Sequence, residues 1–396
     1  MKLESIKYYR SEGEKGEWYI EGKPENAQYG QWCTFGDINL IVGQNATGKT
    51  NTLKVIREIA DLLAGDDELS ELLYDTAHYQ IQFSNNDNNH RKEEITYSLQ
   101  FKKAKVLEEM LSINGKSLLI RRQNGRGKLF DKNTGQYIDF QPPEDQIVAL
   151  TRRDTLQHPF FEPLYQWGKS LTHYQFGDRM GKDTMARIRD SNEECDLKNA
   201  SNAIAAFEKA RNHFGEEFID TIKADMGKMG YSVEHIGTAP LKIMKKRLNS
   251  SVDEYPIALF VKETDINDIT DQLEMSQGMF RALSLIIQLN YSLLAKKPSC
   301  ILIDDIGEGL DYGRAKSLID LIINKAKASS VQILMTTNDR FVMNKMPLEY
   351  WSVINRCGQK SLFYNYRNSE KVFDEFELIG LNNFDFFSSN YFLKQD

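Results

Sequence analysis

The four cysteines, Cys33, Cys195, Cys300 and Cys357, form no CxxC pair, which argues against a disulfide framework and against a cysteine zinc site. The six histidines fall in no ligand pattern either. There is no stretch of about 18 uncharged apolar residues, so no membrane-spanning helix and no membrane partner are expected. The N-terminal MKLESIKYYR lacks the apolar segment of a signal peptide, and the expected location is the cytoplasm. Internal repeats, low-complexity linkers and long heptad runs are also missing. A net charge of −7 provides no overall basic footprint for nucleic acid, although basic residues can still gather on one face.

With 396 residues, 41% of them hydrophobic, the chain can bury a large core, and its length allows two or three domains or lobes. Residues 2–42 alternate apolar and polar positions in short runs, which predicts two or three strands, the last being INLIV. Apolar residues at helical spacing follow from Thr52 to about Tyr74. Residues 78–140 read as an antiparallel β insert with hairpin turns at INGKS and QNGRGK. From about His158 to Met229 the pattern is helical and polar. Strand character returns at YPIALFVKE, and the remainder reads helix, strand, helix, strand, as in a parallel sheet. The expected organisation is an N-terminal half over 1–150, a helical lobe over 151–255 and a C-terminal half over 256–396.

Gly43–Thr50, GQNATGKT, fits the pattern GxxxxGK[ST] between a predicted strand and a predicted helix. Such a loop curls so that backbone N–H groups face phosphate oxygens. Gly43, Gln44, Asn45, Ala46, Thr47, Gly48, Lys49, Thr50 and Asn51 are therefore candidate nucleotide-binding residues. Lys49 is expected to reach the β- and γ-phosphates of ATP, and the Thr50 hydroxyl to bind Mg2+. A glycine turn that merely caps a helix would not require the Lys-Thr pair.

Further on, EMSQGMFRALSLII opens a strongly apolar helix, and CILIDDIGEGLD ends an apolar run in several acids. With these the chain resembles the ATP-binding-cassette ATPases, whose signature Leu-Ser-Gly-Gly-Gln is met here by Met275, Ser276, Gln277, Gly278 and Met279. The plainer reading of Ser276 is an N-cap, but the order of P-loop, signature, acidic strand and further strand is that of the family. The resemblance implies an α/β P-loop NTPase fold with an ABC-type core, carrying the antiparallel insert and the helical lobe. It also implies that Ser276, Gln277 and Gly278 bind the γ-phosphate held by a partner protomer. The family's Asp-Glu-Pro-x-x-x-Leu-Asp run aligns with Asp304, Asp305, Ile306, Leu310 and Asp311, which makes Asp304 the magnesium ligand and Asp311 a nucleotide-site residue. Asp305 replaces a catalytic glutamate and is one methylene shorter; Glu308 is the candidate to compensate, or else a solvated loop charge. Asn338 stands where the family carries a switch histidine, and it can donate a hydrogen bond but cannot become cationic. Slow hydrolysis is expected. Gln146 and Gln157 are the candidates for the family's magnesium-sensing glutamine.

Within this family the chain resembles the chromosome-maintenance (SMC-like) branch that includes RecF and the ATPase part of the OLD nucleases, and also compact bacterial AAA-type ATPases often found in anti-phage operons. Without heptad arms it is not expected to tether distant DNA segments. The stretch after Asn338 is not expected to hold a Toprim nuclease domain, and a nuclease or toxin is expected to act in trans. The resemblance implies a self-partnered dimer or higher oligomer closing around Mg-ATP, with nucleotide state gating a separate effector in anti-phage defence. A RecF-like DNA-binding repair ATPase is the alternative, and a transporter subunit is disfavoured by the long insert and the missing histidine. Basic stretches at Lys102–Lys105, Arg121–Lys128 and Lys242–Arg247 would contact DNA or RNA only if they lined one groove. The aromatic tail Asn383–Phe392 is expected to pack on the chain's own core or a homodimer face rather than to dock a partner.

Overall fold

The computed structural model describes residues 1–23, 31–86, 91–122, 124–178, 180–185, 201–242, 256–295 and 300–394. In chain order the elements begin with β1 (Lys2–Arg10), β2 (Trp18–Gly22), β3 (Cys33–Thr34), β4 (Ile38–Val42) and α1 (Lys49–Ala64). The insert follows as β5 (Thr76–Asn86), β6 (Lys92–Lys102), β7 (Lys105–Ile113), β8 (Lys116–Arg121), β9 (Gly127–Asp131) and β10 (Gln136–Phe140). Next come α2 (Val148–Thr151), α3 (Glu162–Ser170), β11 (Thr172–Gln175), α4 (Ala203–Phe214), α5 (Glu216–Lys228), β12 (Val233–Pro240), β13 (Ile257–Glu263) and β14 (Thr270–Asp271). The chain continues through α6 (Gln277–Leu294), β15 (Cys300–Asp304), α7 (Tyr312–Lys327), β16 (Gln332–Thr337) and α8 (Arg340–Lys345). It closes with β17 (Trp351–Cys357), β18 (Lys360–Asn365), α9 (Tyr366–Glu377) and α10 (Asn383–Ser388).

These elements form two compact units, Met1–Leu171 with Gln332–Leu334 and Pro347–Asp396, and Thr172–Val331 with Met335–Met346. The first is built on a sheet of order β10-β9-β8-β7-β6-β5-β1-β2-β18-β17-β4. Burial alternates residue by residue along β5, as a half-buried strand requires. The INGKS turn closes with Asn114 and Gly115 both at positive φ, matching the twist of the strands it joins. The β17–β18 hairpin, which the sequence reading did not place, enters between β2 and β4: β17 runs parallel to β4 and β18 parallel to β2. α1 buries Leu53, Ile56, Ile59 and Leu63 on one face. It ends at Gly65, in the left-handed conformation, and not near Tyr74 as the apolar spacing suggested. Glycine adopts that conformation without penalty and so stops the helix despite the leucines beyond it.

The aromatic tail packs inward. Phe386 and Phe392 are buried, and Phe386 lies against Phe373 and Phe376 of α9.

The second unit holds β11 parallel to β15, in a register that pairs Thr172 with Ile301 and Gln175 with Asp304. β11 falls inside the region read as helical, and residues 186–200 of that region lie outside the described residues. A small antiparallel sheet, β12-β13-β14, completes the strands of this unit. α6 is buried at every residue from Gly278 to Ser292, so it is a core helix and not an amphipathic surface one. Its Asn290 donates to Asp225 of α5 at 2.9 Å, and Lys325 of α7 pairs with the same carboxylate at 2.7 Å. One satisfied ion pair therefore pins three helices.

The insert of the first unit is pinned in a similar way. Glu109 is fully buried and accepts from Tyr97 Oη at 3.0 Å and from the amides of Val148 and Ala149 at 2.7 and 2.8 Å. Arg121, also fully buried, lies 3.9 Å from Glu109 and donates to the carbonyls of Pro143 and Gln146. The basic stretch Arg121–Lys128 therefore offers less to nucleic acid than its sequence suggests, since its first arginine is interior. Removing one member of such a pair strands the other charge. Glu109→Ala is expected to cost about 3–5 kcal/mol in chemical denaturation, and a loss below about 1 kcal/mol would contradict this reading. Burial pushes the Glu109 carboxyl up. A raised folded pKa favours the folded state below the unfolded value of about 4.3, and that contribution is lost as pH rises through the folded value. Glu109→Gln should accordingly flatten the fall of stability with rising pH just above pH 4.

Candidate nucleotide site

Within the first unit, β4 is buried at all five positions and runs into Gly43. The loop turns through Ala46 and Gly48, with φ of 63° and 109°. Gln44, Asn45 and Ala46 are exposed, whereas Thr47 and Lys49 are buried. Lys49 Nζ donates to the carbonyls of Gly43 and Gln44 at 2.8 and 3.1 Å, so the ammonium is folded back over the loop. α1 begins with no side-chain cap and no acidic residue in its first turn, so no side-chain charge there opposes the positive end of its dipole. Thr50 and Asn51 lie on that first turn, half-buried and exposed respectively.

The loop is braced from behind. Trp18 Nε1 donates to Ser361 Oγ at 2.9 Å, and Ser361 Oγ donates to the carbonyl of Thr47 at 2.6 Å. A Cβ on Gly48 would lie 2.9 Å from both Ser361 Oγ and the Trp18 ring, so the brace itself demands glycine. Arg356 of β17 adds a bond to the Ala46 carbonyl at 3.1 Å.

In the second unit, β15 is buried throughout and presents Asp304 at its end. Thr336 Oγ1 donates to Asp304 Oδ1 and accepts from the Asp305 amide at 2.9 Å. Asp305 takes φ 52°, a left-handed conformation that costs a non-glycine residue, and it starts a turn through Gly307 and Gly309. That turn brings Glu308 back towards Asp305. A Cβ built on Gly177 would lie 2.7 Å from Glu308 Oε2, 3.0 Å from Asp305 Cβ and 3.3 Å from Asp305 Oδ2. Both carboxylate side chains thus border the backbone just past Gln175.

Ser276 caps α6, accepting from the Met279 amide at 3.2 Å, and both Ser276 and Gln277 are exposed. Gly278 abuts the acidic turn, where an added Cβ would lie 2.6 Å from the Gly309 carbonyl. Asp311 caps α7 through the Arg314 amide at 3.0 Å and pairs with the Arg314 side chain at 2.7 Å. The backbone bond from Arg314 holds its carboxyl below the usual range. Asn338 is exposed just beyond β16.

Gln175 is a glutamine that the sequence reading did not weigh. It ends β11 in register with Asp304 and is exposed, while Gln146 and Gln157 lie in the first unit, where their backbone carbonyls accept from Arg121 and from the Lys132 amide. Gln175 stands in THYQFG, a short run whose Gln ends the strand two residues before a Gly, within surroundings that read as helical.

Among the described residues no three His, Cys, Asp or Glu side chains cluster as a metal cage. Magnesium on phosphate needs none, since one or two protein oxygens, phosphate oxygens and waters complete its shell. Among the described residues no helix is long and apolar enough to cross a membrane.

A glycine loop between a buried strand and an uncapped helix, within a mixed α/β architecture, defines a P-loop nucleotide-binding protein. More narrowly, the chain belongs to the AAA domain family described as "putative AbiEii toxin, Type IV TA system", whose model matches residues 38–344. The fold is the SMC-like, ABC-type P-loop fold that the sequence led us to expect. It is similar to an SMC head solved with the C-winged helix domain of ScpA, at 13% identity over 92% of this chain and 97% of that one, with a TM-score of 0.53. An SMC head domain from Thermotoga maritima matches at 14% identity over 92% and 98% of the two chains, TM-score 0.44. An SMC head from Pyrococcus furiosus with an extended coiled coil, bound to the C-terminal domain of ScpA, matches at 13% over 95% and 99%, TM-score 0.47. No curated protein matches the chain.

The brace behind the loop is testable. Ser361→Ala leaves the buried Trp18 N–H without its acceptor, and should cost about 1–3 kcal/mol in denaturation. Unchanged stability would show that the brace contributes nothing.

Proposed function

We propose that the chain binds Mg-ATP and hydrolyses it slowly, closing as a dimer around the nucleotide and gating a separate effector. The observation that carries this reading is the P-loop itself, whose exposed crest, uncapped helix and folded-back Lys49 suit a polyphosphate. On this reading Gly43–Asn51 cradle the phosphates, and Thr50 and Asp304 hold magnesium, the ion supplying charge neutralisation on the phosphates. Ser276, Gln277, Gly278 and Asp311 belong to the surface offered to the partner protomer's nucleotide. ATP then contributes contacts to both protomers and shifts the population towards the closed dimer.

Asp305 and Glu308 are the two groups available to orient the attacking water, and their proximity at Gly177 makes either reachable after a small movement. Asn338 offers a neutral hydrogen bond to the γ-phosphate in place of a cation. A short acid and a neutral switch residue favour holding nucleotide over rapid cycling.

The gating reading is supported by family membership, and by the SMC head relative solved with a winged-helix domain of another protein. Anti-phage defence and cytoplasmic location stand on the same ground. The DNA-repair alternative is less favoured. Lys102 and Lys105 are each paired with a glutamate, at 2.9 and 2.7 Å, Arg121 is interior, and Lys242 pairs with Asp268 and Glu274. Residues 243–247 of the third basic stretch lie outside the described residues.

Lys49→Ala is expected to abolish ATP binding in equilibrium titration, and affinity equal to wild type would refute the assignment of the loop. In a steady-state hydrolysis assay of Asp305→Asn and Glu308→Gln, the variant of the true base should lose about 10²-fold or more in kcat. If both retain wild-type turnover, neither residue activates the water.

A further inference from the structure

Two buried side chains of the signature segment grip the loop that follows Gln175. Arg281, on the second turn of α6, donates through Nη2 to the Gly177 carbonyl and through Nε to the Asp178 carbonyl at 2.8 Å. Its Nη1 donates to the Glu308 carbonyl at 2.9 Å. A guanidinium has donors in a fixed fork, which is what three carbonyls from two separate turns require. Gln272 is fully buried, accepts from the Leu259 amide at 3.1 Å, and directs its amide nitrogen at the carbonyls of Gly181, Lys182 and Thr184, at 3.2, 2.8 and 2.8 Å. Lys182 returns a bond from its ammonium to the Met275 carbonyl, immediately before Ser276.

Loops normally satisfy their own carbonyls or leave them to water. Here five carbonyls of the described loop residues 175–178 and 180–184 lie within hydrogen-bond reach of Arg281 and Gln272, the two N–H bonds of Gln272 being shared among three of them and the Gly181 carbonyl accepting also from the loop's own Thr184 amide at 2.9 Å, and Arg281 extends the same grip to the turn that carries Asp305 and Glu308. We propose that Arg281 and Gln272 are positioning residues that make three pieces a single body: the loop after Gln175, the acidic turn, and the segment presenting Ser276. A displacement of Gln175 is then carried to the Ser276 surface and to the carboxylates at once, because their backbones share one guanidinium. Arg281 sets the distance of Asp305 and Glu308 from Gly177 without touching the reacting atoms.

This coupling rests on the ATPase reading for its functional consequence, but the mechanical link does not, and the experiment separates them. Hydrogen–deuterium exchange is measured on the full chain as wild type, Arg281→Lys, Arg281→Gln and Gln272→Leu, together with ATP titration and steady-state kinetics. Both Arg281 variants should exchange at least tenfold faster at Gln175–Asp178 and at Asp305–Leu310, with α1 unchanged. Gln272→Leu should open Gly181–Thr184 and leave Asp305–Leu310 as in wild type. ATP affinity of the Arg281 variants should stay within twofold while kcat falls at least tenfold. Unchanged exchange at both segments, or acceleration that includes α1 equally, would overturn the clamp. Loss of affinity in step with kcat would overturn its positioning role. Failure of wild type to bind ATP would instead refute the ATPase reading, and the exchange data alone would then decide the link.

Discussion

The exposed crest of Gly43–Gly48 is the constraint on which the first unit depends. To present N–H groups to an anion, the loop must hold a left-handed turn at Gly48 and tuck its carbonyls away from the ligand. The Thr47 carbonyl goes to Ser361, which in turn satisfies Trp18, and the Ala46 carbonyl goes to Arg356. Those partners sit on β2, β17 and β18, so the C-terminal hairpin contributes directly to the shape of a loop some three hundred residues before it in sequence. The hairpin is more than trim on the sheet edge: it is the surface against which the phosphate loop is moulded.

The second unit solves a different problem, the placement of acids that repel one another. Asp304 is fixed by Thr336 at the end of a buried strand, and Asp305 is turned out of line by its left-handed backbone. The cost of that conformation, of order 1–3 kcal/mol, is sustained by the contacts that hold the turn, among them the Glu308 carbonyl on Arg281. The turn thus carries two carboxylates, those of Asp305 and Glu308, beside the Gly177 backbone.

Much of this was legible in the sequence because its signals are local. GQNATGKT between a strand and a helix, the alternation of β5 and β6, Ser276 before an apolar helix, and the acids after ILI each depend on neighbours within a few residues, and each stands where the pattern placed it. What escaped notice depends on distant partners. β11 is only four residues long and lies in a polar, helix-rich neighbourhood; its strand character comes from pairing with β15. Gln175 was hidden with it. The β17–β18 hairpin has strand-like composition, but nothing local announces that it enters beside β4. Arg121 reads as part of a basic surface because the sequence does not show Glu109 beneath it. The apolar leucines after Gly65 suggested a longer α1, where one glycine conformation outweighed the periodicity.

The central claim is that this chain is a nucleotide-binding ATPase whose P-loop is ready for Mg-ATP. Its most direct test is calorimetric titration of the wild-type chain with ATP in the presence and absence of Mg2+. The account predicts saturable binding of one nucleotide per chain, tightened by magnesium. Absence of binding at millimolar ATP with magnesium present would contradict it.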